Sequence, residues 1–182
     1  MRKLIMWNLM TLDGFFEGPD HDLGFHEFAW GEEMEQFSIV QLRSAGALLF
    51  GRRTYELMAS YWPTINDESA EIANRMNSLP KIVVSRTMER VQWNNTRLIR
   101  ENAVGEIERL KREPGKDIYL FGSADLAAGL MPLFDEFRIG VAPLLLGEGT
   151  PLFKSSAERT ELQLVDTRPL ETGAVILSYH PK

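Results

Sequence analysis

The sequence contains no cysteine among its 182 residues, and this absence removes several classes of chemistry. Disulfide bonds, thiolate nucleophiles and cysteine-based zinc sites are all excluded. Histidine is scarce as well, because His21, His26 and His180 are the full set and their spacing is not that of metal ligands. We therefore expect no metal site, and we interpret His21 and His26 as solvated loop residues.

Long apolar runs and an excess of positive charge are also missing. No apolar run approaches the ~20 residues of a membrane-spanning helix, and the N-terminus lacks the apolar region of a signal peptide. The net charge of −6 argues against a broad nucleic-acid surface. We expect a cytoplasmic protein with neither a membrane nor a nucleic acid as partner. The G-x-G-x-x-G fingerprint is absent too, which disfavours a Rossmann dehydrogenase.

What remains is the composition of an ordinary globular protein, with 44% apolar and 25% charged residues. A chain of this length suits one well-buried domain and is short for two. Neither an internal repeat nor a linker-like stretch divides it. We therefore treat residues 1–182 as a single domain.

The hydrophobic pattern predicts an α/β fold, since short apolar runs alternate with helical periodicity. Strands are predicted at residues 3–8, 47–50, 81–85, 97–99, 117–121, 136–142, 161–166 and 174–180. Helices are predicted at residues 32–45, 68–79, 104–113 and 123–131, and an amphipathic segment follows Thr54. The last two strands are joined by a short turn and read as an antiparallel hairpin. The expected architecture is three layers around a mixed sheet.

Three predicted strands end in turns suited to an anionic ligand. Gly51-Arg52-Arg53-Thr54 follows the strand at 47–50, and Ser85-Arg86 and Gly122-Ser123 follow two later strands. A helix that begins at such a turn offers free backbone N–H groups and a positive dipole end. Ligands of open α/β sheets collect beyond the carboxyl ends of parallel strands. We also expect Ser123 to cap the helix that follows it.

A fourth glycine-containing turn follows the first strand, at Thr11-Leu12-Asp13-Gly14. The chain then continues to Trp30 without clear periodicity. A loop longer than about 12 to 15 residues is more often functional than not, and a plain surface loop is the alternative. We interpret this segment as a lid.

Taken in order, these motifs and the segment Pro143-Leu144-Leu145-Leu146-Gly147-Glu148-Gly149 resemble the dihydrofolate reductase superfamily. The similar branch is the C-terminal reductase domain of the bifunctional riboflavin-biosynthesis protein. The resemblance implies eight mixed strands, NADPH as cofactor and a first loop that closes over the nicotinamide. It implies that residues 51–54 and 122–125 hold the diphosphate, with Ser85 and Arg86 on the 2′-phosphate. The cofactor residues implied are Thr11, Leu12, Gly14, Gly51, Arg52, Arg53, Thr54, Ser85, Arg86, Phe121, Gly122, Ser123, Ala124 and Asp125.

The proton that must accompany hydride transfer has two candidate donors. Counting back from Gly51, the position of the acidic helix residue in dihydrofolate reductases corresponds to Glu35. Glu35 shares a helical stripe with Ile39 and Leu42, so we expect it to be at least half buried. The alternative is a solvated member of the acidic first turn. Asp13 is the competing acid, because related riboflavin reductase domains place a similar Asp-Gly at the cleft.

Three functions are compatible with these residues. The first is an NADPH-dependent reductase of a pterin-like or aminopyrimidine-like heterocycle, similar to 5-amino-6-(5-phosphoribosylamino)uracil reductase or dihydrofolate reductase. The second is a nucleotide-binding or regulatory module without turnover, and the third is a phosphosugar-binding protein. We find in this sequence neither the deaminase domain that usually precedes the riboflavin reductase nor a convincing arginine for a folate tail, so the substrate stays open. Relatives of this branch imply a homodimer.

Overall fold

The structure is a computed structural model that describes residues 1–65, 70–154 and 159–182. Within these ranges the chain forms ten β-strands. They are β1 (Leu4–Thr11), β2 (Phe15–Glu17), β3 (Ala45–Gly51), β4 (Lys81–Val84), β5 (Thr96–Ile99), β6 (Asp117–Phe121), β7 (Glu136–Ala142), β8 (Thr150–Pro151), β9 (Leu162–Pro169) and β10 (Val175–Pro181). Each of the eight predicted strands is present, with bounds shifted by a few residues at most.

Five α-helices lie between the strands in the described ranges. They are α1 (Glu32–Ser44), α2 (Arg52–Tyr61), α3 (Glu71–Ser78), α4 (Ala103–Arg112) and α5 (Ala124–Leu130). The four predicted helices correspond to α1, α3, α4 and α5, and the amphipathic segment after Thr54 lies in α2. The first two residues of the predicted helix 68–79, which corresponds to α3, lie outside the described residues. None of the described helices has the length and hydropathy that a membrane span requires.

Eight strands form one mixed sheet in the order β5-β4-β3-β6-β1-β7-β10-β9. Every pair from β5 to β7 is parallel, whereas β10 is antiparallel to both β7 and β9. The predicted C-terminal antiparallel hairpin is therefore confirmed. The short strands β2 and β8 pair separately, antiparallel to each other.

Alternation along the strands divides the core into two apolar layers, one on each face of the sheet. On one face Ile5, Leu48 and Tyr119 pack with residues of α1, α2 and α3. On the other face Leu4 and Leu49 pack with residues of α4 and α5. The predicted three-layer arrangement is confirmed, and the buried strands hold the turns at their carboxyl ends in fixed positions.

The first loop is more ordered than its sequence predicts. After the turn that follows β1, the chain forms β2 and then two 3₁₀ turns, Pro19–His21 and Gly24–Phe28. The pairing of β2 with β8 and a hydrogen bond from the Leu152 amide to the Gly14 carbonyl (2.9 Å) tie this loop to a later segment. These structured pieces are three to five residues long, which is too short to produce a periodic sequence pattern.

Candidate active site

The sheet brings the predicted cofactor turns together along one edge. The strands β4, β3, β6 and β1 are parallel neighbours, so the turns after them lie side by side in that order. Read along the edge, these turns begin at Ser85, Gly51, Gly122 and Thr11. They include the residues for which the sequence predicts cofactor contacts, except Phe121, which is the last residue of β6. The edge is the carboxyl edge of the parallel strands, where ligands of such sheets bind.

The two central turns pack directly against each other. The Gly51 amide donates a hydrogen bond to Ser123 Oγ (2.8 Å), and Ser123 Oγ lies 3.1 Å from Thr54 Oγ1. A Cβ at Gly51 would lie 2.3 Å from Ser123 Oγ, and one at Gly122 would lie 2.6 Å from Thr54 Oγ1. Gly122 also has φ of +62°, which favours glycine. The two glycines are thus required for contact between the turns themselves.

Ser123 does not cap α5, contrary to the sequence prediction. Its side chain makes no capping hydrogen bond, and its backbone is left-handed with φ of +58°. The hydroxyl instead accepts the Gly51 amide, because the neighbouring turn lies within hydrogen-bonding reach. Of the residues that follow, Ala124 is buried, whereas Asp125 is exposed and forms an ion pair with Lys154.

The turn after β4 presents cationic and hydroxyl groups to solvent. Ser85 is buried, and its Oγ accepts hydrogen bonds from the Thr87 and Met88 amides (3.3 and 3.0 Å), so it shapes the turn. Arg86 and Thr87 are exposed. Arg52 reaches across from α2 and donates to Thr87 Oγ1 (2.7 Å), which joins two neighbouring turns. A cavity of about 540 Å³ adjoins this junction, and its wall includes Arg52, Thr87 and Arg90. Arg90 lies outside the turn motifs and carried no functional signal in the sequence.

The turn after β1 is held by Asp13. Its carboxylate accepts hydrogen bonds from Thr11 Oγ1 (2.5 Å) and from the amides of Leu146 (3.0 Å) and Gly147 (2.8 Å). These bonds lower the pKa of Asp13 to about 2. A carboxylate with this pKa is ionised at neutral pH and holds no proton to donate. The structure therefore favours Asp13 as the anchor of the loop over the predicted role of proton donor.

The other residues of this turn are divided between core and solvent. Thr11 is buried and its Oγ1 accepts the Phe15 amide (3.1 Å). Leu12 is exposed, and its amide donates to the Leu144 carbonyl (2.9 Å). Gly14 has φ of +90°, a conformation that L side chains rarely adopt. The turn is thus rigidly anchored at both ends and presents Leu12 outwards.

Arg53 connects α2 to the first loop. It donates to His21 Nε2 (3.0 Å), and His21 Nδ1 lies 2.9 Å from Glu17 Oε1. Because a guanidinium only donates, Nε2 of His21 must accept and the ring proton must be on Nδ1. His21 is therefore part of a defined contact across the cleft, although its side chain is half exposed. From sequence, His21 was interpreted only as a solvated loop residue.

Beneath this contact lies a larger cavity, of about 660 Å³. It adjoins the central turns, since Thr54 and Gly122 are part of its wall. Apolar and aromatic side chains supply much of the remaining wall, among them Trp7, Leu9, Phe16, Leu23, Trp30, Leu42, Met58, Trp62, Ile72, Met76 and Phe121. A cavity of this size and character suits a small planar molecule.

His26 is in the wall of this cavity, so interpreting it as a solvated residue is wrong. Its ring packs edge-on against Phe25, with centroids 4.7 Å apart. Burial lowers the pKa of His26 to about 4, although the charge of Asp22 opposes the shift. The imidazole is therefore neutral at physiological pH. Its isolated position in the sequence gave no sign of this burial.

Glu35 is exposed, so the prediction that it is at least half buried is wrong. Ile39 and Leu42, on the same stripe, are buried as expected. Glu35 differs because it lies in the first turn of α1, where Met34 takes the core position. The α1 residues in the cavity wall are Ser38, Gln41 and Leu42, none of which is ionisable.

Two buried amide side chains of the cavity wall were missed from sequence. Asn8 Oδ1 accepts a hydrogen bond from the Gly122 amide (2.8 Å), and Gln41 Oε1 accepts one from Arg138 Nη1 (3.2 Å). The same guanidinium group donates to Glu136 Oε1 (2.5 Å) and to the Tyr119 hydroxyl (3.0 Å). Asn8 and Gln41 lie outside the turn motifs, and a single polar residue in an apolar segment carried no functional signal.

The sequence also matches the profile of the RibD C-terminal domain over residues 2–176. The chain belongs to the RibD C-terminal domain family. A curated relative, the uncharacterized protein YyaP of Bacillus subtilis, is 34% identical over 98% of this chain and 95% of its own. The resemblance inferred from the turn motifs is thus confirmed at the level of the family.

Solved structures of similar fold cover nearly the whole chain. A putative riboflavin biosynthesis protein from Shewanella sp. PV-4 superposes with a TM-score of 0.81 at 20% identity, over 99% of both chains. Dihydrofolate reductase from Enterococcus faecalis, in complex with NADP(H), superposes with a TM-score of 0.67 at 15% identity, over 99% of this chain and 96% of that one. The chain therefore has the dihydrofolate-reductase-like fold.

Proposed function

We propose that this protein is an NADPH-dependent reductase of a planar pterin-like or aminopyrimidine-like heterocycle. One observation carries the proposal: the anion-binding turns at the carboxyl edge adjoin a 660 Å³ cavity whose wall is largely aromatic and aliphatic. A reductase needs this arrangement, with one site for the dinucleotide and a neighbouring dry site for the molecule that is reduced. The family membership and the bound cofactor of the Enterococcus relative support the same function.

The donor groups along the edge fit a phosphorylated dinucleotide. Helix α2 begins at the Gly51 turn, so its first amides can bind a diphosphate, assisted by those that open α5. Arg86 is exposed, and within the described parts of the chain it has neither an ion pair nor a hydrogen bond. With Arg52 and Thr87 it would hold a 2′-phosphate. When bound, NADPH would supply the hydride.

The source of the proton is a separate part of the proposal. Asp13 and Glu35 are both absent from the wall of the large cavity. Among the described residues of the chain, the titratable side chains in that wall are Glu17, Asp20, His21, His26, Arg53 and Glu56. Neutral His26 holds no imidazolium proton near pH 7. We propose that the acid is Glu17 or Asp20, which the first loop brings over the cavity.

A binding module without turnover is the second candidate. It is favoured by one observation, since neither acid nominated from the family pattern lines the cavity. A nucleotide-binding protein would keep the edge turns and would not need a proton donor. The cavity would then have no reactive partner for the nicotinamide.

We also propose a homodimer formed through the C-terminal strands. Strand β9 is exposed along its whole length at the edge of the sheet. It carries the exposed apolar side chains of Leu162, Leu164 and Val165. An exposed apolar edge strand is unusual in a monomer, because it favours pairing with another chain. Light scattering of Leu164→Lys beside the unchanged protein tests this, with a dimer expected only for the latter.

Fluorescence titration with NADPH and NADH tests the cofactor assignment. We expect NADPH to bind at least tenfold more tightly, because only NADPH carries the 2′-phosphate that Arg86 would contact. Equal affinity for the two would contradict the role of Arg86. A screen of NADPH oxidation over pterins, flavin precursors and quinones tests turnover. Tight NADPH binding with no oxidation of any compound would favour the binding module.

A further inference from the structure

Two consecutive residues of the first loop have left-handed backbone conformations. Asp20 has φ of +55° and His21 has φ of +64°. Residues other than glycine seldom adopt such angles, which persist only where the surrounding structure holds them in place. Strained residues of this kind cluster at binding sites, where the backbone sets the direction of a side chain. The imidazole that His21 directs in this way lies in the wall of the large cavity.

This imidazole joins two oppositely charged side chains. Its Nε2 accepts a hydrogen bond from Arg53 Nη1 (3.0 Å), and its Nδ1 donates one to Glu17 Oε1 (2.9 Å). In the part of the chain that the structure describes, no other side-chain hydrogen bond links the first loop to α2. The bond to Arg53 requires a neutral ring, because protonated His21 has no lone pair on Nε2. The contact between loop and helix is therefore sensitive to a proton.

The charges around the ring oppose each other. The carboxylate of Glu17, on β2, favours a protonated ring, whereas the guanidinium of Arg53, on α2, disfavours it. Four further titratable side chains lie next to His21 in sequence or in the same wall, but in the described ranges they form neither a hydrogen bond nor an ion pair with it. These four are Asp20, Asp22, His26 and Glu56. An anion that neutralised Arg53 would thus leave Glu17 to favour protonation of His21.

Arg53 belongs to one of the turns proposed to hold the diphosphate. It lies in the first turn of α2, which contains no acidic residue, and Gly51 before it makes no side-chain cap. Thr54 and Gly122, from the two central turns, share the cavity wall with His21 and Arg53. The side chain of His21 is 50% exposed, so an incoming ligand can reach it. An anionic group at this turn would meet Arg53 from the helix and His21 from the loop.

We infer that His21 and Arg53 bind one anionic group between them, and that His21 takes up a proton from solvent as this group binds. The anion replaces Nε2 as the acceptor for Arg53. Protonated Nε2 then donates to the anion, while Nδ1 keeps its hydrogen bond to Glu17. Because the bound form holds one more proton than the free form, affinity for the anion rises as the pH falls.

This inference rests on the proposed function for the idea that the anion is the diphosphate of NADPH. It adds a binding residue that lies outside the four turns, and it makes cofactor affinity depend on pH. The side chains that produce this dependence are His21, Arg53 and Glu17.

Two probes without a titrating group near neutral pH test the inference. Sulfate supplies an anion alone, and NADH supplies the diphosphate without the 2′-phosphate, which itself titrates at about pH 6. We would follow the imidazole signals of the whole protein by NMR from pH 5 to pH 9, with sodium chloride of equal ionic strength as the reference for sulfate. The chain has three histidines, so His21→Gln assigns the His21 signal.

With either probe bound, His21 should become protonated at a pH about one unit higher than in the free protein. The same linkage predicts that NADH binds about fivefold more tightly at pH 6 than at pH 8, as measured by fluorescence titration.

Three variants assign the effect. His21→Gln keeps an oxygen that accepts from Arg53 but takes up no proton, so its affinity for NADH should be equal at pH 6 and pH 8. Glu17→Gln removes the charge that favours the protonated ring and should reduce the pH effect. His180→Gln is the matched control, since it removes a histidine of β10 that lies 3.7 Å from Glu136, and it should keep the full effect. Thermal unfolding establishes that each variant is folded.

A His21 signal whose titration neither sulfate nor NADH changes would overturn the inference, as would a pH effect that persists in folded His21→Gln. The sulfate measurement separates the inference from the proposed function, because it needs no dinucleotide. A sulfate effect on His21, in a protein that binds neither NADH nor NADPH, would support the inference and contradict the reductase. Turnover of NADPH with no change at His21 would do the reverse.

Discussion

The two ends of strand β4 carry cationic side chains in opposite environments. At the amino end Lys81 is 1% exposed, and its Nζ donates to the carbonyls of Met76, Asn77 and Leu79 (2.8–3.0 Å). At the carboxyl end Arg86 is exposed and has no partner in the described ranges. Lys81 closes the C-terminus of α3, whereas Arg86 keeps its donors for an incoming anion. Sequence alone shows two cations five residues apart, and only the fold separates their roles.

The same contrast holds for the sheet as a whole. Arg138 lies on β7, and its guanidinium donates hydrogen bonds to Glu136, Gln41 and Tyr119. The guanidinium of Arg52, at the carboxyl edge of the sheet, donates hydrogen bonds to two exposed side chains, which an anion can displace. Buried cations with complete hydrogen bonding stabilise the fold, and edge cations with exposed or missing partners are available for binding. Four changes test this distinction, in order of decreasing effect.

The largest effect is expected for Lys81→Met. The change leaves three carbonyl oxygens at the end of α3 without a donor and removes the contact of Nζ with the Trp93 ring, 4.4 Å from its centroid. We expect the free energy of unfolding to fall by about 4 kcal/mol, measured by urea denaturation. NADPH affinity of the folded fraction should stay the same. A loss of NADPH affinity without a loss of stability would contradict the distinction between buried cations that stabilise the fold and edge cations that bind.

His26 should make stability depend on pH. Its pKa is about 4 in the folded protein, whereas the ordinary value of 6.5 applies in the unfolded protein. The unfolded state therefore binds more protons than the folded state between pH 4 and 6.5. Stability therefore falls as pH falls through this window, by about 3 kcal/mol in total. His26→Gln should flatten the curve there, as judged by urea midpoints at several pH values. A curve of equal slope in the variant would show that other groups cause it.

Arg86→Ala should weaken binding and leave stability unchanged. We expect NADPH affinity to fall about tenfold, equivalent to about 1.4 kcal/mol, with no change for NADH. Arg112→Ala is the matched control, since it removes an exposed arginine from α4, away from the carboxyl-edge turns. Parallel titrations of both variants measure the difference. Equal losses for NADPH and NADH would assign Arg86 a general electrostatic role.

The smallest and most local effect is expected for Asp13→Ala. The change removes the carboxylate that accepts hydrogen bonds from the amides of Leu146 and Gly147, so these amides lose protection. We expect their hydrogen exchange to quicken by about tenfold, while the thermal midpoint changes little. Slow exchange in the variant would mean that β2 and β8 alone hold the loop.

Much of the fold follows from local sequence pattern. The parallel strands are short apolar runs because both faces are covered, and β10 follows a clear turn at Glu171-Thr172-Gly173. Strands β2 and β8 could not be predicted, since three- and two-residue strands exist only through their pairing with each other. The edge turns were predictable because glycine, arginine and serine directly follow apolar runs.

The candidate site was less predictable, because it depends on how deeply each side chain is buried and on which residues form hydrogen bonds with it. The helical angle of Glu35 was interpreted correctly, but the position of Glu35 along the axis decides its exposure. Asp13 was selected from the sequence as a candidate acid. The amides that lower its pKa, however, belong to residues more than 130 positions later in the chain. Asn8 and Gln41 acquire meaning only from Gly122 and Arg138, which the sheet brings beside them.

The most direct test is the crystal structure of the protein soaked with NADPH. The account predicts a diphosphate between the turns at residues 51–54 and 122–125, the 2′-phosphate within reach of Arg86, and the nicotinamide beside the 660 Å³ cavity. A cofactor bound away from this edge, or with its nicotinamide pointing away from the cavity, would contradict it.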